Sequence, residues 1–284
     1  MYEKFSGKGI YLIICATFFF ALMSAGVKTA GSTIPIYEMV FFRALIGTII
    51  IWMIAFFRKT PIWGTHKKLL LMRGFFGFCA IGCYFFAVTK LPLADATLLS
   101  YTAPIFTAVL SVFFLKERIT VQLGIYLTTA FACIYIILKP NLDIINMGGL
   151  AAICSGFFAS IAFIMVKKLG DESPLSITFY FTLLTTCLSA PIMGIYFVKP
   201  EPHILFVLVL NGVAATLAQL FLTIAILVEK VSSAAALTCL TIIFSYFLGR
   251  IFWQETLEFS SIIAGVVLIA SSIIFSHKNL SKKT

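Results

Sequence analysis

The sequence predicts an all-α integral membrane protein: ten transmembrane helices arranged as two inverted five-helix repeats. Three observations carry the prediction. The 284 residues are 61% hydrophobic and 11% charged, with a mean hydropathy of +1.07, whereas soluble domains carry roughly 25% charged residues. Apolar runs of about 20 residues, long enough to cross a hydrocarbon core about 30 Å thick, recur along the whole chain. The first half also resembles the second, and such internal similarity decides the architecture before any single element does.

In chain order, Met1 to Lys8 is short and basic. The apolar run after it has no small-residue cleavage site, so it reads as a first helix and not as a removed signal peptide. The expected spans are 9–29, 35–57, 69–89, 94–115, 121–138, 148–167, 174–197, 203–228, 231–252 and 259–276. Thr89 to Thr120 shows how they are bounded. Leu91-Pro92-Leu93 breaks the chain, Ala94 to Leu115 crosses with Asp95 as its one charge, and Lys116-Glu117-Arg118 stops it. The same outline returns 138 residues later without a gap: Ala87 with Ala225, Leu93 with Val231, Ala96 with Ala234, Phe106 with Phe244, Glu117 with Glu255. Gly9 to Lys28 likewise parallels Gly149 to Lys168, and the stretch from Pro35 parallels that from Pro174. Residues 1–140 and 141–284 are therefore expected to be two copies. Five spans in each make the second copy enter from the opposite side, a geometry suited to a midplane site exposed to each face in turn.

Loop charge sets the orientation, because Lys and Arg are retained on the cytoplasmic side. With the N-terminus inside, the inner segments hold Lys4, Lys8, Arg58, Lys59, Lys67, Lys68, Arg73, Lys116, Arg118, Lys167, Lys168, Lys230, Lys278, Lys282 and Lys283. The outer ones hold only Lys28, Lys90, Lys139 and Lys199. Both termini are expected in the cytoplasm of a cell that carries the protein in its inner membrane. The net charge of +10 then reflects topology and anionic lipid, and no nucleic-acid partner is expected.

Enzymatic chemistry lacks its parts. His66, His203 and His277 are scattered over loops and span ends, and no metalloprotease, nucleophile-elbow or Cys-x-x-Cys motif occurs. The seven cysteines fall within apolar spans and read as small hydrophobes. No catalytic residue, metal site or cofactor is expected, and the absence of a phosphate-binding loop argues against ATP-driven pumping.

Polar residues inside the spans are the functional candidates, since each is costly in lipid. Arg43 lies roughly 12 Å below the outer end of the second span. Glu38 and Asp95 are its candidate partners, with Asp95 the better placed, and the alternative to an internal ion pair is contact with a solute carboxylate or phosphate. Asn211, Ala215 and Gln219 recur every four residues as a narrow stripe that faces protein or a cavity. Tyr84, Tyr101, Tyr180 and Tyr246 offer rings and hydroxyls to an organic ligand. Lys28 and Lys168 read as snorkelling lysines. Glu117 and Glu255 close equivalent spans and need nearby cations, Lys116 or Arg118 for one and Arg250 for the other. Both glutamates are also candidates for proton coupling. Gly74, Gly77, Ala80 and Cys83 form a small-residue face for close helix packing.

Phe41 to Ala44 (FFRA), Ala87, Leu91 to Ala94 (LPLA), Pro104 and Lys116 to Thr120 (KERIT) resemble the drug/metabolite transporter superfamily, of the ten-helix EamA type. Ala225, the small run Ser232 to Ala236, and Glu255 carry the likeness into the second half. Ile242 opposite Pro104, and Gln254-Glu255-Thr256 opposite Lys116-Glu117-Arg118, depart from strict symmetry. The resemblance implies a secondary-active carrier of a small organic metabolite, with its site between the halves on spans one, three, four, six, eight and nine. Amino-acid-related solutes, drugs, and nucleotide-related solutes such as S-adenosylmethionine are within its range. A lipid flippase or a membrane interaction protein without transport is the alternative class.

Overall fold

The computed structural model describes residues 9–116, 121, 124–125, 128–129, 132–133, 147–255 and 259–280, and every regular element among them is helical. In chain order these are α1 (Gly9–Ala30), α2 (Ile36–Phe57), α3 (Lys67–Lys90), α4 (Leu93–Ser100), α5 (Ala103–Leu115), α6 (Met147–Lys168), α7 (Pro174–Ile195), α8 (Pro202–Val228), α9 (Val231–Leu237), α10 (Thr241–Trp253) and α11 (Phe259–Leu280). Eight segments among the described residues are long and apolar enough to cross a membrane: α1, α2, α3, α4 with α5, α6, α7, α8, and α9 with α10. Most of the expected span at 121–138 lies outside the described residues. The expected last span coincides with α11, which carries a shorter apolar stretch, Ile262–Ser271.

Proline sets several helix starts. Pro35 and Pro92 precede α2 and α4, and Pro174 and Pro202 open α7 and α8, where a missing N–H costs nothing and the fixed φ suits the first turn. Ser173 completes the start of α7 by accepting the Leu175 N–H at 3.2 Å. Both α5 and α10 end on a left-handed residue, Lys116 (φ 54°) and Gln254 (φ 52°). These two occupy corresponding positions in the halves.

Two spans differ from expectation. The fourth and ninth are not continuous helices: a turn at 101–102 separates α4 from α5, and a 3-10 turn, Thr238–Leu240, separates α9 from α10. Hydropathy is blind to such a break, because both flanks are equally apolar. Pro104 supplies a local reason in the first case, since it sits in the first turn of α5, where it is tolerated. At the second break Ile242 stands in its place, and the turn tightens without leaving the helical region.

The closest packing joins the halves: α1 lies on α8, α2 on α7, and α3 on α6, while α5 packs on α6 and α10 on α1. Small residues permit the approach, as the sequence suggests for Gly74 and Gly77, which both face α7. Large apolar side chains such as Trp52, Phe56, Phe113, Phe206 and Phe247 cover the outside, a surface suited to lipid.

Two buried carboxylates clasp one half to the other. Glu172, in the α6–α7 connection, accepts the Thr65 N–H (2.6 Å), the Thr65 hydroxyl (2.7 Å) and the His66 N–H (2.7 Å) at the start of α3. Glu38, in the first turn of α2, accepts the Val198 N–H (3.0 Å) ahead of α8. Burial would push the Glu172 carboxyl up, but the donations from His66 and Thr65 outweigh it and hold the group below its ordinary value near 4.5. A depressed folded value means that the carboxylate stabilises the fold fully above its unfolded pKa, and that this contribution is lost as pH falls through the folded one. We expect Glu172→Ala to cost about 1.5–3 kcal/mol, the range for hydrogen bonds to a charged group. Glu172→Gln should cost less, and both should flatten the fall of melting temperature below pH 5 measured in detergent. An unchanged acid slope would show that the contact contributes nothing.

Candidate functional site

The breaks in the fourth and ninth spans turn their polar residues toward the middle of the molecule. Ser100, Tyr101, Ala103, Thr238 and Thr241 form one wall of a cavity of about 140 Å³. The remaining walls come from α1 (Phe20, Met23, Ser24), α2 (Arg43), α3 (Arg73 to Tyr84), α6 (Ser155 to Phe163), α7 (Phe181) and α8 (Gln219, Leu222). Both halves contribute to it.

Tyr84 shares hydrogen bonds with Ser24 (2.6 Å) and Thr97 (3.1 Å). Thr97 in turn donates to the Leu93 carbonyl at 2.6 Å and lies 3.3 Å from the Ser245 hydroxyl. This network ties α1, α3, α4 and α10 together and satisfies the phenol, so that the Tyr84 ring remains available to the cavity.

Arg43 and Arg73 approach the cavity from α2 and α3, exposed by only 3% and 2%. Both guanidiniums rest on the ring of Phe181, 5.5 Å and 4.4 Å from its centroid. Nε and Nη1 of each are buried without a hydrogen-bond partner. Gly77 makes room for this arrangement: a Cβ there would lie 2.5 Å from Phe181 Cε2 and collide with Arg73 Nη1. Arg73 therefore runs along α3 toward the membrane interior.

Of the candidates named from sequence, Arg43, Tyr84, Tyr101 and Gln219 line the cavity together. Asn211 and Tyr246 do not. The Asn211 amide donates to the Met23 carbonyl at 2.7 Å, locking α8 to α1, and Tyr246 packs beside Phe247. Tyr180 likewise turns away, to Trp63 and Phe179. No ion pair joins Arg43 to Asp95 or Glu38 among the described residues. Asp95 instead occupies the first turn of α4, where a carboxylate suits the helix dipole. Arg73, counted among the inner loop charges, belongs to the cavity. Its signal was present all along: it is a charge in the second turn of a span that is otherwise apolar beyond it.

Glu255 pairs with Lys28 and not with Arg250. It also accepts the Leu93 N–H at 3.0 Å, taking one of the orphan amides at the start of α4. Lys28 donates further to the Leu91 carbonyl (3.2 Å) and sits 5.9 Å from the Trp253 ring, so it is engaged in protein contacts and does not merely snorkel. In the last turn of α6, Lys167 donates to the carbonyls of Ile226, Leu227 and Glu229 (3.1, 3.2 and 2.5 Å) at the C-terminus of α8. Lys168 lies over the Phe114 ring. Glu117 lies outside the described residues.

A largely apolar cavity edged by two arginines, walled by helices from both halves of a chain with eight helical segments long enough to span a membrane, fits a multi-pass carrier of small solutes. The EamA-like transporter family model matches residues 7–139 and again residues 146–277. A pseudopaline exporter of Pseudomonas aeruginosa is 32% identical over 95% of this chain and 96% of its own. An S-adenosylmethionine uptake transporter of Rickettsia felis is 26% identical over 96% of each. One solved crystal structure shares the fold with a TM-score of 0.77 at 16% identity, over 96% of this chain and 99% of the other. The chain belongs to the EamA-like transporter family and is a membrane transporter of small metabolites.

Two outcomes follow from the geometry. Gly77→Ala favours α3 by about 1 kcal/mol in helix propensity, yet should weaken solute binding about tenfold or more. A displaced guanidinium forfeits a charge-assisted bond of about 1.5–3 kcal/mol. Solute titration beside a melting curve separates the two effects. For Lys28→Met and Glu255→Gln, a double-mutant cycle on melting should return a coupling of about 0.5–3 kcal/mol; additive effects would mean the pair is decorative.

Proposed function

We propose that the protein is a secondary-active carrier that moves a small organic metabolite across the inner membrane by alternating access, without converting it chemically. Ten spans form two inverted five-helix repeats, residues 1–140 and 141–284, with both termini in the cytoplasm. The observation that carries this reading is the inner cavity whose walls come from helices of both halves. Further support comes from the two successive family matches, from the reciprocal packing of α1 on α8 and α3 on α6, and from clasps at separate ends of the helices. Arg43, Tyr84, Tyr101 and Gln219 contact the solute. Glu38 and Glu255 hold the outer end closed, and release of these contacts accompanies opening to that side. The names of the relatives, one for pseudopaline export and one for S-adenosylmethionine uptake, support an organic metabolite as cargo.

Purified protein in liposomes should accumulate at least one labelled metabolite from a panel that includes both relatives' named solutes, and should show counterflow when preloaded. Failure of every solute, together with scrambling of labelled lipid, would replace the carrier with a flippase. Single cysteines introduced into a cysteine-free variant at Ser6 and Ser281 should react only from the cytoplasmic face. Labelling of the two termini from opposite faces would rule out an even number of spans.

A further inference from the structure

The cavity holds two buried positive charges and, among its described lining residues, no carboxylate. Guanidinium groups do not lose their proton in proteins, and an isolated cation in a membrane interior costs several kcal/mol. Arg43 and Arg73 nonetheless rest on one aromatic ring, close enough for each charge to raise the energy of the other. Their Nε and Nη1 atoms have no partner. Nε belongs to the side edge of the guanidinium and Nη1 to its end edge, so each group has an unmet donor on both of the edges through which carboxylates and phosphates are bound. Charges at the helix ends and connections are matched instead. Glu38 holds the Val198 N–H, Glu172 holds Thr65 and His66, and Lys28 and Lys167 hold carbonyls. Among the described residues, the buried cationic donors without a partner are those of Arg43 and Arg73, and both groups line the cavity.

We propose that Arg43 and Arg73 form a two-pronged anion site for a solute bearing two oxyanion groups, carboxylate or phosphate, one for each guanidinium, with its carbon frame against Phe181, Tyr84 and Tyr101. Arg73 is the specificity-determining partner. It turns a site for one oxyanion into a site for two, and it disfavours solutes of net positive charge. The inference rests on the reading of the cavity as the transport site.

Melting of the purified protein at constant ionic strength, in citrate, glutarate, inorganic phosphate or chloride, tests it. Citrate and glutarate should raise the wild-type midpoint by several degrees over chloride, and Arg43→Met and Arg73→Met should each abolish the rise. Arg73→Lys should keep part of it. A rise with phosphate alone upholds the site and assigns the prongs to phosphate. In chloride, Arg73→Met should melt at or above wild type, because an uncompensated buried charge has been removed. Equal midpoints in all four salts, a rise that persists in both Met variants, or Met variants that melt well below wild type would overturn the proposal. Liposome flux separates this from the carrier reading. A neutral or cationic metabolite carried equally well by wild type and both Met variants sinks the anion site and leaves the carrier intact, whereas an absence of all flux sinks the carrier.

Discussion

Hydrocarbon offers no hydrogen bonds, so each main-chain amide and carbonyl in the membrane must be satisfied by protein, and irregular backbone survives only where protein buries it or a cavity borders it. The interruptions in the fourth and ninth spans obey this rule. The Tyr101 N–H still reaches the Thr97 carbonyl at 3.0 Å and the Thr102 N–H reaches Leu99 at 3.2 Å, so the turn loses little bonding. The break is closed over by α6 at Gly156, where a Cβ would sit 2.8 Å from the Ser100 carbonyl. At its other end α4 gives its first amide to Glu255. With the backbone needs met locally, Ser100, Tyr101, Thr238 and Thr241 are released to face inward, and the cavity lies where the interruptions put it.

The charges divide by the same principle. At helix ends Lys28 and Lys167 neutralise carbonyls left without partners, and Lys28 carries an acid as well. Such contacts remove two problems at once, an orphan acceptor and a stranded cation. Arg43 and Arg73 solve neither. Their partial compensation comes from the face of Phe181, and cation–π attraction of about 2 kcal/mol in a desolvated setting offsets only part of a cost of about 2.5–3.5 kcal/mol for each charge at a helix centre. A protein that tolerates this deficit keeps its site poised for a counter-charge from outside.

Span positions were legible because the hydrocarbon thickness imposes a length, and the described helices fall within a few residues of those expected. Arg43, Tyr84, Tyr101 and Gln219 were legible as polar groups where lipid permits none. The interruptions were not, since hydropathy averages over them. Asn211 obeyed the same polarity rule and yet serves packing, because composition cannot distinguish an amide that bonds a neighbouring carbonyl from one that faces solute. Arg73 was hidden by its neighbours Lys67 and Lys68: a basic cluster at a span end reads as topology, and only the direction of the side chain along α3 separates it from them. The Lys28 partner of Glu255 is far away in sequence, whereas nearness along the chain points to Arg250.

The clasps made by Glu38 and Glu172 grip mainly main-chain N–H groups, with the Thr65 hydroxyl the one side chain involved. Because an amide is present whatever residue carries it, short of proline, His66 and Val198 can change side chain and keep these bonds, whereas Gly64 cannot, since a Cβ there would lie 2.6 Å from Glu172 Oε2. Constraint is thus unevenly shared across each contact: the acid must stay an acid, while the residue that lends its amide is bound only by its backbone.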